Sequence, residues 1–130
     1  MRVIALVENT SISKDYKSKH GLCLYIETKK HKLLFDLGSN SLFLGNAVKL
    51  DVDISDIDSV IISHGHNDHG GALKYFLENN AKANIYISRY AFEEYYANIL
   101  GMKWYVGLDR KLKDNPRIIL IEDELSLIHI

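Results

Sequence analysis

The six residues His64-Gly65-His66-Asn67-Asp68-His69 constrain this chain more than any other stretch, because they crowd three of its six histidines and a carboxylate together. Ahead of them, Asp58-Ser59-Val60-Ile61-Ile62 is rich in β-branched residues, which predicts a short buried strand. Behind them, Leu73, Phe76 and Leu77 recur at i, i+3 and i+4, so a helix is expected from near Gly71 with one face turned inward. The histidines therefore lie in a tight turn leaving the C-terminal end of a strand. That is where open α/β sheets bind ligands.

Residue type narrows the ligand. Neutral imidazole is the commonest side chain for zinc and similar divalent ions, and a carboxylate adds a hard, anionic donor. In a turn, His64 and His66 can close on one metal, while Asp68 and His69 leave in a different direction and can hold a second. Two metals about 3.5–4 Å apart can hold a bridging hydroxide and polarise the bond it attacks. Glycines at 65, 70 and 71 allow backbone angles that a Cβ would resist. A merely solvated polar loop is the reading for a lone histidine, and four donors at this spacing argue against it.

The run Ser63 to His69 resembles the HxHxDH signature of the metallo-β-lactamase-fold superfamily. Leu33-Leu34-Phe35-Asp36-Leu37-Gly38 resembles the earlier strand-Asp-x-Gly element of that family. His20-Gly21-Leu22 and Tyr105-Val106-Gly107-Leu108 resemble one branch, the dihydropterin-ribofuranosyl-aminobenzene-phosphate synthase-like hydrolases. The resemblance covers nearly all 130 residues but only the first half of the family's domain. It implies an α/β chain, the N-terminal half of an αββα sandwich with a mixed β-sheet and flanking helices. Residues 1–130 would be a single domain, incomplete at its C-terminal end.

The same resemblance implies a metal-dependent hydrolase, with metal-activated hydroxide attacking an ester, phosphoester or related bond of a small molecule. His64, His66, Asp68 and His69 would be the ligands of two divalent ions, and Asp68 the catalytic carboxylate. Zinc is the default, and His and carboxylate donors also suit iron or manganese. Asp36, placed directly after an apolar strand, is costly there unless solvated or hydrogen-bonded. The family reading has it accept hydrogen bonds from the histidine loop and so fix the ligands; the bland alternative is a turn or cap residue. The branch implies a phosphorylated or pterin-like substrate. Two contrasting readings are a truncated, non-catalytic metal-binding or interaction module of the same fold, and a nucleic-acid-processing member.

Composition bears on these choices. Lys plus Arg number 16 against 17 for Asp plus Glu, so no net field draws nucleic acid or an anionic membrane. Cys23 is the only cysteine, which fits a reducing compartment, and is expected to be buried. No apolar run approaches the roughly 20 residues that span a bilayer. Met1 to Val7 is too short for a signal peptide's apolar core, so a cytoplasmic protein is expected.

Along the chain, strands are predicted over Arg2–Val7 and Gly21–Glu27, with Thr28 to Lys32 turning a hairpin into Leu33–Phe35. His20 is expected as an exposed loop histidine, although the resemblance sets it and Asn9 near the metals. Ser39, Asn40 or Ser41 can cap a helix bearing Phe43, Ala47 and Leu50. The four acids of Asp51 to Asp58 lack the glycine and closing Glu of a calcium loop and read as a solvated link. A strand follows at Asn84–Ile87. Phe92, Tyr95, Tyr96 and Ile99 then suggest an amphipathic helix ended by Gly101. Trp104 to Asp109 is a loop or short strand, and Arg117–Glu122 and Leu125–Ile130 read as strands around an Asp-Glu turn. His129, the only histidine after the motif, precedes the next ligand-bearing strand of the branch and is not expected to bind metal. Leu22, Leu24, Ile26 and alternate apolar positions of Ile118 to Ile130 are candidates for a sheet face that a partner covers, so a homodimer or a continuing polypeptide is expected.

Overall fold

The computed structural model describes residues 1–11 and 13–122; His129 and the strand expected over Leu125–Ile130 lie outside them. Six strands form one mixed sheet: β1 (Arg2–Val7), β2 (Cys23–Glu27), β3 (Lys32–Phe35), β4 (Ser59–Ile62), β5 (Asn84–Ser88) and β8 (Ile118–Ile121), neighbours in that order. The first three pair antiparallel and the last three join in parallel. Between them come α1 (Leu42–Lys49), α2 (Asn67–Gly70) and α3 (Leu73–Asn79), and a separate hairpin, β6 (Tyr96–Ile99) with β7 (Met102–Tyr105). The sheet with its helices is the architecture expected for half of an αββα sandwich.

Register explains the two faces of the sheet. Tyr25, Leu34, Val60 and Ile85 are matched across β2 to β5, and all are buried. Phe43 and Ala47 of α1 and Leu73 and Phe76 of α3 belong to the same buried cluster. Truncating Phe76 to Ala would cost about 3–5 kcal/mol, the usual toll for a core aromatic. The alternate row, Leu24, Phe35, Ile61, Tyr86 and Ile119, is equally apolar or aromatic but only partly covered, and Ile119 is exposed. Cys23 is buried as expected, and burial raises its thiol pKa far above the ordinary value.

The helix expected from near Gly71 is α3, and a short turn, α2, precedes it, with the His69 and Gly70 amides donating to the His66 carbonyl at 3.1 and 3.0 Å. Two expectations need correcting. The acidic link is not merely solvated, because Val52, Ile54 and Ile57 alternate with its acids and are buried. Its Asp53 caps a 3₁₀ turn, and Asp56 pairs with Lys32 and Lys82. Residues 92–99 do not form a helix. Phe92 tucks into the core, and the chain then runs out as β6. Leu100 and Gly101 turn it with φ of 53° and 77°. Two successive positive φ values are what a two-residue hairpin turn matching strand twist demands.

Candidate metal centre

β3 carries Asp36 to the C-terminal edge of the sheet, where the chain turns through φ of 57°. Its amide donates to the Ile61 carbonyl at 2.9 Å, which pins the turn beside the end of β4. The side chain is fully buried and accepts three hydrogen bonds. Oδ1 takes the Ser63 amide at 2.7 Å, and Oδ2 takes the Ser63 hydroxyl at 2.7 Å and His69 Nδ1 at 2.7 Å. Three charge-assisted bonds stabilise the carboxylate that burial would otherwise penalise.

This arrangement sets two tautomers. His69 must hold its proton on Nδ1 to donate to Asp36. Ser63 Oγ also lies 2.8 Å from His64 Nδ1. A hydroxyl that gives its only proton to Asp36 can only accept from the imidazole, so His64 too is protonated on Nδ1. In its neutral form each ring then leaves Nε2 unprotonated. His64 is further held neutral, its pKa lowered first by burial and then by His69 and His66.

α2 turns Asp68 and His69 back towards His64. One ligand atom from each of the three lies within 4.8 Å of the others. A tetrahedral zinc ion with bonds of about 2.1 Å spaces its donors about 3.4 Å apart, a gap that small side-chain rotations close. Two imidazoles and a carboxylate thus fit a divalent ion in both chemistry and spacing. The ring centroids of His64 and His69 are 4.3 Å apart. His66 stands outside this set of three: it is exposed, its ring 4.7 Å from that of His64 and edge-on to Tyr95 at 5.4 Å. Asp36 stands behind the cluster rather than in it.

Neighbouring loops are tied to the cluster. The Leu22 amide donates to the Asp68 carbonyl at 3.3 Å, and a Cβ on Gly21 (φ 135°) would meet that oxygen at 2.2 Å. This close approach brings His20 Nε2 within 3.0 Å of Asp68 Oδ2, although the ring is otherwise exposed. Asn9 Oδ1 accepts from the Gly21 amide at 3.1 Å, and Asn9 lines one cleft with His20, Asp68 and His69. A Cβ on Gly65 would meet the Ala91 carbonyl at 2.2 Å, so the histidine loop presses against the start of the 90s segment. Sequence reasoning assigned nothing to Ser63 or Tyr95. The hydroxyl directly before the first histidine was the available signal for Ser63; Tyr95 was hidden by the helical spacing of its neighbours.

The family model described as the Metallo-beta-lactamase superfamily matches residues 19–126. The chain belongs to this superfamily. It is 34% identical over 110 residues to the uncharacterized protein MJ0448 of Methanocaldococcus jannaschii, covering 84% of this chain and 41% of that protein. A shorter match, 46% identity over 54 residues, joins it to a probable RNase, MJ4, of the same organism, covering 39% of this chain and 12% of the RNase. Among solved structures it is similar to Tm1679, a metal-dependent hydrolase of the β-lactamase superfamily, with a TM-score of 0.73 and 27% identity, over 95% of this chain and 43% of that one. This superfamily chain therefore spans less than half the length of MJ0448 and Tm1679. Among the described residues, no helix is long and apolar enough to cross a membrane.

Proposed function

We propose that the chain carries the metal-binding half-site of a hydrolase acting on an ester, phosphoester or related bond of a small molecule. The observation that supports this most directly is the hydrogen-bond chain from His64 and His69 through Ser63 to Asp36, which leaves two Nε2 atoms free beside Asp68. His64, His69 and Asp68 would hold divalent metal, with His66 swinging in as a further ligand; zinc is the first candidate, and iron or manganese suit the same donors. Bound divalent ions would supply Lewis acidity and a lowered pKa for water. The protein's part is to fix the tautomer of each imidazole, through Asp36 and Ser63. Asp68 Oδ2 lies 3.5 Å from His69 Nε2 and 3.0 Å from His20 Nε2. It can therefore accept a proton as the catalytic carboxylate and pass it to His20 at the solvent edge. The branch motifs His20-Gly21-Leu22 and Tyr105 to Leu108 favour a phosphorylated or pterin-like substrate.

Zinc titration of the chain tests the metal reading. His64→Ala should lower bound zinc steeply, while His31→Ala, on the far hairpin beside Asp58, should not. Equal zinc content in the two variants would remove the reading. Turnover of bis(p-nitrophenyl) phosphate, abolished in His64→Ala, separates a hydrolase from a non-catalytic metal-binding module. The short similarity to a probable RNase supports a second reading, nucleic-acid processing. The net charge of −1 weighs against it. Salt-dependent binding of single-stranded RNA by the chain would favour that reading.

A further inference from the structure

The β6–β7 hairpin has two unlike faces, and one of them leads to the candidate metal centre. Residues paired across an antiparallel ladder share a face, and successive pairs alternate. Ala97 pairs with Trp104 and Ile99 with Met102, which sets these four together. Tyr96 with Tyr105 and Asn98 with Lys103 occupy the other face. The second grouping is seen directly: the Tyr96 and Tyr105 rings are 5.6 Å apart, and Lys103 Nζ lies 5.7 Å from the Tyr96 centroid. The ladder continues one step beyond the strands, where the Val106 amide donates to the Tyr95 carbonyl at 2.9 Å. By the same alternation, Tyr95 falls on the face of Trp104. Its ring packs edge-on against His66 at 5.4 Å, and the Asn67 amide donates to the Val106 carbonyl at 2.7 Å. The foot of the hairpin is thus bonded to the histidine loop.

The face that begins at Tyr95 carries no charge. Ile99, Met102 and Trp104 on it are 51%, 59% and 52% exposed, and the opposite face takes Asn98 and Lys103. At about 3.3 Å per residue, Trp104 stands about 7 Å along the strand from Val106, and Met102 about 13 Å. That is the reach of a ring or short apolar arm on a small molecule whose reacting group lies at the histidines. Even with Leu100 at the tip, the bare apolar surface is on the order of 500 Å², short of the roughly 800 Å² per partner of a stable protein interface. The size suits a small molecule, not a second chain.

We propose that the Tyr95–Ile99–Met102–Trp104 face is a binding wall for the apolar, ring-bearing part of the substrate. The inference rests on the metal reading above, which places the reacting group at His64, Asp68 and His69. Its signature is selectivity between ligands that share a metal-binding head and differ in the tail.

Trp104 is the chain's single tryptophan, so its fluorescence reports this wall alone. The zinc-loaded chain is titrated with phenylphosphonate and with methylphosphonate, zinc content being measured first. Phenylphosphonate should perturb Trp104 emission and bind at least about tenfold more tightly by calorimetry, the selectivity that burying a ring of this size supports. Trp104→Ala and Met102→Ser should bring the two affinities within about twofold at unchanged zinc content. Lys103→Ala, on the opposite face, should leave the preference intact. Equal affinity for the two phosphonates in the zinc-loaded wild-type chain, or a preference that survives Trp104→Ala and Met102→Ser, overturns the wall while leaving the metal reading in place. Failure to take up zinc at the outset removes the metal reading itself, and the wall with it.

Discussion

Exchanging Asp36 for Asn should weaken metal binding without removing any atom from the candidate ligand set. Asn nearly matches Asp in shape, and its carbonyl can still accept from the Ser63 amide at the Oδ1 position. At the Oδ2 position, however, two amide hydrogens now face the Ser63 hydroxyl and His69 Nδ1. Both must become acceptors. His69 then moves its proton to Nε2, the nitrogen it would offer to a metal, and Ser63 Oγ no longer needs the proton of His64 Nδ1. Loss of such supporting partners typically costs 10–100-fold in metal affinity, about 1.4–2.7 kcal/mol. Asp36→Ala is the poorer probe. It strips three bonds to a buried charge, worth about 1.5–3 kcal/mol each, against a typical total stability of about 5–15 kcal/mol, so it tests folding as much as binding. The assay is competition for zinc against a chromophoric chelator, with imidazole nitrogen shifts read by NMR and circular dichroism as the folding control. A folded Asp36→Asn chain with wild-type zinc affinity would falsify the account of the tautomers.

Tyr25 supplies a test at alkaline pH. Burial, with a hydrogen bond to Glu27, raises its pKa from 10.0 to about 12, so the folded state holds the phenolic proton more tightly than the unfolded one. The stability this contributes is complete below pH 10.0 and lost as pH rises through about 12. Thermal melts should therefore fall across that window and fall less in Tyr25→Phe, with the remainder owed to groups such as Cys23; identical slopes would refute the assignment. The partly covered row Leu24, Phe35, Ile61, Tyr86 and Ile119 makes self-association of the isolated chain the expected behaviour. Sedimentation at tens of micromolar should show a dimer that Ile119→Lys weakens, and a concentration-independent monomer would show that the row needs no partner.

What could be read from the sequence, and what could not, divides by how far apart in the chain the deciding residues lie. The run Val60-Ile61-Ile62 ahead of the histidines, and the apolar 73, 76 and 77 behind them, are local patterns, and the sheet and α3 follow them. The 92–99 stretch is equally local but ambiguous, because Phe92, Tyr95, Tyr96 and Ile99 satisfy a helical period while their aromatic and β-branched types favour a strand. The tie is broken by pairing with Met102–Tyr105, and the cue was the Leu100-Gly101 turn. Asp36 was legible as a candidate because an acid directly after an apolar strand needs a partner. Its role as the common acceptor for Ser63 and His69 depends on topology. β3 and β4 run parallel with Phe35 opposite Ile61, so the residues that follow each strand emerge side by side at one edge of the sheet. Asp36 thereby meets Ser63 across 27 positions of sequence. The six-residue motif supplies the donor atoms, but the direction in which two of them point is set by a neighbouring strand end. A motif grafted into a loop without that parallel neighbour would keep its histidines and lose their tautomers.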